Sequence, residues 1–187
     1  MAKSQRILFL TSNKHKISEA KTILKSWGIN IVASSAKGDE IQSDSVVEVA
    51  KKAAENAYRK IKKPLFVEDS GLYIDALDGF PGAFSAYVYD KLNDEGILRL
   101  LGQKRQRGAK FVCAIAYCDA RGTRIFSGTV RGRISTRKAG GKGFGFDPIF
   151  IADGQNKPFS LISDVKMRIS HRAIALRKLA AFLNRRN

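Results

Sequence analysis

Leu65-Phe66-Val67-Glu68-Asp69-Ser70-Gly71-Leu72 is the stretch around which the chain is organised, with Ala76-Leu77-Asp78-Gly79-Phe80-Pro81-Gly82 and Ser85-Ala86 following it. Leu65 to Val67 reads as a short buried strand, after which the sequence turns abruptly polar. Adjacent carboxylates at a strand end offer hard oxygen ligands on a rigid edge, a chemistry that suits a divalent metal such as Mg²⁺. Ser70-Gly71 predicts a turn there, bringing a hydroxyl and bare backbone N–H groups close to a ligand. A solvated Asp-Ser-Gly turn explains the same residues. The acidic pair therefore takes its meaning from the rest of the chain.

A chain of 187 residues is expected to fold as a single domain over 1–187, with a core that needs no disulfide or structural metal. Its 44% hydrophobic and 27% charged residues exclude a disordered chain. No apolar run approaches the ~18 residues of a membrane span. Met1 to Leu10 carries a basic flank but too short an apolar run for a signal peptide, so a cytoplasmic location is expected. Cys113 and Cys118 fall in one predicted strand, on opposite faces and roughly 16 Å apart, beyond the ~7 Å reach of a disulfide. They read as core thiols.

The formal net charge is +17, a field that attracts polyanions: nucleic acid, a nucleotide or an acidic membrane surface. A lysine-rich solvated surface gives the same total. The basic residues are spread along the chain, apart from clusters at Lys104-Arg105-Arg107-Lys110, Arg131-Arg133-Arg137-Lys138 and Arg185-Arg186, and they form no single nucleic-acid arm.

Patterning predicts a strand at Ile7–Leu10, a tight turn, and a helix with Ile17, Ala20, Ile23, Leu24 and Trp27 on one face, ended by Gly28. Ile29–Ala33 reads as a strand. Ser45 and Glu48 form a capping-box signature for a helix carrying Val49, Ala53, Ala57 and Ile61, and Pro64 stops it. A helix is expected from about Asn93 to Leu101. Lys110–Cys118 and Arg124–Ser135 read as a hairpin around Asp119-Ala120-Arg121-Gly122. A glycine-rich loop, Ala139–Gly145, leads to a short strand at Ile149–Ile151, and Ser170 caps a final helix. The mixture of βαβ-like units with a long hairpin predicts an α/β fold with a mixed sheet.

Several polar clusters carry chemistry. Thr11-Ser12-Asn13-Lys14-His15-Lys16 occupies the first strand-to-helix turn, where free N–H groups, side-chain donors and lysines suit phosphate; an Asn-capped helix accounts for it equally. It lacks the glycines of a P-loop. Asp39-Glu40-Ile41-Gln42 supplies acids ahead of a helix containing Lys52, and a metal could draw on Glu40 as well as Asp69; acids favoured at a helix N-terminus are the plainer reading. Gly143-Phe144-Gly145-Phe146-Asp147-Pro148 sets aromatics between glycines. One of them can stack on a nucleobase, while Phe146 reads as core. Lys166 and Ser170-His171-Arg172 offer donors at a helix start.

With these residues laid out, the chain closely resembles the inosine triphosphate pyrophosphatase family. The resemblance runs from Thr11 to Leu176 and its motifs occur in order: Thr11-Ser12-Asn13 with Lys16, Glu40-Ile41-Gln42, Glu68-Asp69-Ser70-Gly71-Leu72, Gly79-Phe80-Pro81-Gly82 with Ser85-Ala86, Phe144-Gly145-Phe146-Asp147-Pro148, and Ser170-His171-Arg172 with Ala175-Leu176. It implies a single-domain α/β homodimer with a long mixed β-sheet flanked by helices and two lobes around a nucleotide cleft. It further implies Mg²⁺-dependent hydrolysis of ITP, dITP and XTP to the monophosphate and pyrophosphate. By position, Asp69 matches the proton acceptor and metal ligand and Glu40 a further metal ligand, with Glu68 beside them as another candidate. Thr11, Ser12, Asn13, Lys14, His15 and Lys16 match the triphosphate turn, with Lys52 and Ser70 as added contacts. Phe144, Gly145, Phe146, Asp147, Lys166, His171 and Arg172 match the base side. Some relatives carry a basic residue at or just after Ala86; here Ala86-Tyr87-Val88-Tyr89 stands there. No membrane association and no specific nucleic-acid binding are expected. The alternatives are a basic nucleic-acid-binding module, whose binding would weaken steeply with salt, and a pyrophosphatase of the same fold with another nucleotide preference.

Overall fold

The computed structural model describes residues 5–35, 41–140 and 143–186. The elements are β1 (Gln5–Leu10), α1 (Lys14–Lys25), β2 (Ile29–Ser34), α2 (Val46–Ile61), β3 (Leu65–Ile74), β4 (Pro81–Gly82), α3 (Ser85–Leu101), β5 (Gly108–Asp119), β6 (Gly122–Ile134), β7 (Phe150–Ala152), α4 (Ser163–Ile169) and α5 (His171–Asn184). A seven-stranded mixed sheet runs in the order β2-β1-β3-β5-β6-β7, with β4 attached to β3. β1 is parallel to β2 and β3, and the pairing is antiparallel from β3 through β5, β6 and β7. This is the α/β fold with a mixed sheet that the sequence predicts.

Helices cover both faces because the strands alternate apolar side chains to each. On one face Ile7, Phe9, Phe66, Cys113 and Ile115 meet Leu24 of α1 and Leu176, Leu179 and Leu183 of α5. On the other, Leu65, Ala114, Ala116 and Cys118 meet the alanine face of α2. The two free cysteines thus lie on opposite faces, as the strand period requires. A further cluster, built on Leu72, Ile74, Phe111 and Phe150, receives Ile97 and Leu101 of α3. Local capping agrees with the sequence: Ser45 Oγ accepts from Glu48 N. The Glu48 carboxylate, however, accepts from Ser43 Oγ at 2.7 Å and does not close the reciprocal half of the box.

The turn expected at Ser70-Gly71 does not form. β3 continues through it for ten residues, because β5 pairs with every position from Leu65 to Ile74. Gly71 serves a different need: a Cβ there would lie 2.2 Å from the carbonyl oxygen of Gly82, so β4 can approach only a glycine. The helix expected from about Asn93 begins earlier, at Ser85, and kinks at Asn93, whose φ is +48°. α4 had no counterpart in the sequence reading.

β1 pairs with β3 only at Leu65 and Phe66, and β4 only at Leu72 and Tyr73. Residues 67–71 of β3 therefore run past the carboxyl end of β1, and no strand among the described residues pairs with that edge, the place where open α/β sheets receive ligands. The Phe9 and Phe66 rings, stacked at 4.3 Å, anchor β3 just before this edge. Phe66→Ala is expected to cost about 3–5 kcal/mol. Urea unfolding reads this as a lower midpoint with an unchanged m-value; a loss below about 1 kcal/mol would show that the core collapses around the gap.

Candidate active site

The open edge of β3 forms the floor of a cleft of about 690 Å³. The turn before α1, the 143–147 loop and the start of α5 line it as well. Asn13 caps α1, its Oδ1 accepting from His15 N at 3.0 Å and Lys16 N at 3.2 Å. The Asn-cap reading of this turn holds, and the same turn lines the cleft through Thr11, Ser12, Asn13, His15 and Lys16. Lys14 and Lys52 are exposed and are not among the cleft-lining residues. Glu40, with Asp39, lies outside the described residues.

Glu68 and Asp69 are neighbours in a strand, so their side chains leave opposite faces of the sheet. Glu68 turns toward α1 and α5. Its carboxylate accepts from Arg172 Nε at 2.9 Å and Nη2 at 3.3 Å, and Lys16 Nζ stands 3.5 Å from Oε1. Lys16 also donates to the Glu68 carbonyl at 3.0 Å. Asp69 lies on the α2 side and lines the cleft beside Ser70 and Gly71. Ser70 faces the α5 side, 3.4 Å from Arg172 Nη2.

The ion pairs continue beyond Arg172. Its Nη1 donates to Glu19 Oε2 at 2.6 Å, Lys166 Nζ donates to Glu19 Oε1 at 2.8 Å, and Lys166 Nζ donates to Asp147 Oδ2 at 2.6 Å. Asp147 Oδ2 in turn accepts from Phe144 N at 3.0 Å, fixing the loop. Burial works to raise the Glu68 and Glu19 carboxyls, but Arg172 with its lysine neighbours outweighs it and holds both below the ordinary range. For Asp147 burial wins, and its pKa is raised despite Lys166. Glu19 was not singled out from the sequence. Its signal was Lys16-Ile17-Ser18-Glu19, an acid three residues from a lysine on the cleft side of α1.

The Phe144 ring sits 5.5 Å from the Arg172 guanidinium and 6.0 Å from Lys166 Nζ, and its centroid is 5.1 Å from that of His15. Phe146 is buried and meets Tyr89 edge-on, a core aromatic as its sequence setting suggests. His171 stacks on Phe111 at 4.6 Å. Its Nδ1 is buried with no hydrogen-bond partner among the described residues. Ser85 Oγ accepts from Leu72 N and donates to Gly82 O, both at 2.7 Å, tying α3 to the edge of β3. Ala86, Tyr89 and Asp90 of α3 also line the cleft. None of the three basic clusters noted in the sequence contributes a cleft-lining residue.

The profile of the Ham1 family matches residues 7–182. The chain belongs to the Ham1 family. It is 47% identical to the dITP/XTP pyrophosphatase of Ignicoccus hospitalis, over 97% of this chain and 98% of that protein. With the dITP/XTP pyrophosphatase of Methanopyrus kandleri it shares 43% identity over 94% of each. Among solved structures it is similar to the Staphylococcus aureus Ham1 protein, with a TM-score of 0.84 at 33% identity, covering 98% of this chain and 100% of that one. Within this Ham1 fold, Asp69 supplies one hard carboxylate on the open edge. No cluster of three or more ligating side chains occurs among the described residues. A single carboxylate fits a hard divalent cation that is otherwise held by waters and substrate phosphates.

Burial, reinforced by Arg172, holds the His171 imidazole well below its ordinary value, while Glu68 acts in the opposite direction. The unfolded chain then binds the extra proton below pH ~6.5. Stability from this group is complete above that pH and falls as pH drops below it, by at most about 1.4 kcal/mol per unit. In urea unfolding at intervals from about pH 7.5 to about 5.5, His171→Phe, which can still stack on Phe111, is expected to flatten the slope. The same slope in both proteins would assign it to other groups.

Proposed function

We propose that this chain hydrolyses deaminated purine nucleoside triphosphates (dITP, XTP and ITP) to the monophosphate and pyrophosphate, removing them from the nucleotide pool. The names of its curated relatives support this. The observation that carries it is one cleft joining a polar turn and lysine at a helix start to buried donors beside an aromatic ring. In this reading residues 1–187 act as one catalytic domain, in a cytoplasmic homodimer that requires Mg²⁺. No helix among the described residues is long and apolar enough to cross a membrane.

Asp69, with Glu40 as the second carboxylate, would hold Mg²⁺, which supplies charge neutralisation at the phosphates. Thr11, Ser12, Asn13 and Lys16 receive the triphosphate, with Lys14, His15, Lys52 and Ser70 as further contacts. A water attacks the α-phosphorus, the bond to the α,β-bridging oxygen breaks, and Asp69 takes the water's proton. Lys16 stabilises the charge that develops on the departing pyrophosphate.

At the other end the purine lies against Phe144, beside Gly145 and Asp147. After the bonds to Glu68, Glu19 and Ser70, the guanidinium of Arg172 retains an Nη1 hydrogen. The ammonium of Lys166 likewise retains a donor beyond Glu19 and Asp147. These, with His171, meet the 6-oxo group of a deaminated purine. Adenine presents an amino donor at the same place and leaves buried donors unpaired, a penalty large enough for strong discrimination.

Pyrophosphate release from dITP, XTP, ITP, dGTP and dATP, with and without Mg²⁺, tests the reading. Rapid metal-dependent release is expected from the first three, and equal rates on dATP and dITP would overturn the base assignment. Asp69→Asn is expected to lower kcat by about 10²–10⁴ while the far-UV spectrum and urea midpoint stay in place. Near-normal turnover in that variant removes Asp69 from the chemistry.

A further inference from the structure

Glu68 sits between Lys16 of α1 and Arg172 of α5. Its Oε1 is shared: Arg172 Nη2 lies 3.3 Å away and Lys16 Nζ 3.5 Å away. Oε2 belongs to Arg172 Nε at 2.9 Å. Through Arg172 the contacts run on to Glu19, Lys166 and Asp147, which caps the Phe144 N–H. The result is a line of alternating charges from the phosphate turn to the base loop, with Glu68 as its second member.

We infer that Glu68 is a positioning residue that couples recognition of the base to placement of the triphosphate, and that it is not a metal ligand. This deepens the proposed function and rests on its assignment of Lys16 to phosphate and Arg172 to the base. Three observations exclude the ligand role. The side chain is 1% exposed. Both of its oxygens are engaged by Arg172. And strand alternation sends the Asp69 carboxylate to the opposite face of the sheet.

The coupling follows from the shared oxygen. When a triphosphate draws Lys16 toward it, Oε1 is left to Arg172 alone, and the guanidinium is held in plane by both carboxylate oxygens. A base that engages Arg172 makes the reciprocal change easier, since coupling between two sites is symmetric in binding free energy. Base identity is thus felt at Lys16, which never touches the base, and a 6-oxo purine improves the placement of the leaving pyrophosphate. The discrimination then falls on kcat as well as KM.

The decisive variant is Lys16→Met, which removes the phosphate-side arm at a half-buried position. If Lys16 served phosphate alone, kcat/KM would fall equally for dITP and dATP. The inference predicts instead that the dITP:dATP ratio itself drops by about tenfold, mostly through kcat for dITP. An unchanged ratio overturns it. Glu68→Gln, which retains an acceptor for Arg172, is expected to lower the ratio similarly and to leave Mn²⁺ affinity, titrated without nucleotide, within about twofold of the parent; a tenfold weaker Mn²⁺ affinity makes Glu68 a ligand and also overturns the inference. Arg172→Lys separates the two levels. If it leaves the ratio intact, the base assignment itself fails; if it collapses the ratio while Lys16→Met does not, only the coupling fails.

Discussion

Arg172 is a full charge with 1% of its surface exposed, and the site depends on how that charge is satisfied. An isolated buried guanidinium would cost many kcal/mol, so it is tolerable only with carboxylates at hydrogen-bond distance. Glu68 and Glu19 supply them, from β3 and α1. The partners lie far apart in sequence, which makes their meeting a consequence of the completed fold. Removing one side of such a pair typically costs about 3–5 kcal/mol, since it strands the other charge. Two well-packed apolar side chains would serve stability as well or better. Stability alone therefore does not account for the ionic arrangement, which under the proposed function serves recognition of the base.

The cleft itself is a matter of strand lengths. β1 ends at Leu10, where Thr11 N donates to Ser34 O and the chain turns into α1. β3 begins opposite the end of β1 and runs past it, held throughout by β5. This difference exposes one edge of β3 to the start of α1. On that edge a single stretch of strand sends Glu68 and Ser70 toward α5 and Asp69 toward the opposite face. An acid pair in a turn, as the sequence suggested, would have delivered both carboxylates to one place. An acid pair in a strand divides their work.

Where local physics decides the outcome, the sequence was readable. Ser45, Asn13 and Ser170 cap the helices that follow them because cap and helix are adjacent, and the cysteine faces follow from a period of two. Phe146 proved a core ring because glycines and a proline around it leave little else for it to do. The misreading of Ser70-Gly71 has a clear source. Turn chemistry is a local signal, whereas the strand is imposed by β5, about forty residues on, and Gly71 is required by β4. Glu19 escaped for a related reason: an acid on a helix beside a lysine looks like a surface pair until α5 closes over it. The order of the motifs carried the family, but which of them touch was written only in the tertiary structure.

The charge of the chain looks different once the cleft is known. The chain carries an excess of +17, yet among the described residues the lysine and arginine side chains that line the cleft, Lys16, Lys166 and Arg172, are each bound to a carboxylate already. Asp69 and Asp90 also line the walls, and Asp90 is paired with Lys91 at 2.8 Å. A triphosphate entering this space meets donors whose charge is locally compensated, so the far field of the basic surface can raise its encounter rate without fixing it in place. Under the proposed function, retention rests on directional bonds and on a cation brought along with the phosphates. That division makes physical sense for an enzyme whose unwanted competitor ATP carries the same charge as its substrates. Attraction by charge alone cannot tell them apart, and a cleft that held phosphate strongly by itself would be filled by the commoner nucleotide. Under the proposed function, a compensated network whose spare donors meet a purine edge leaves the base to decide between a 6-oxo purine and adenine.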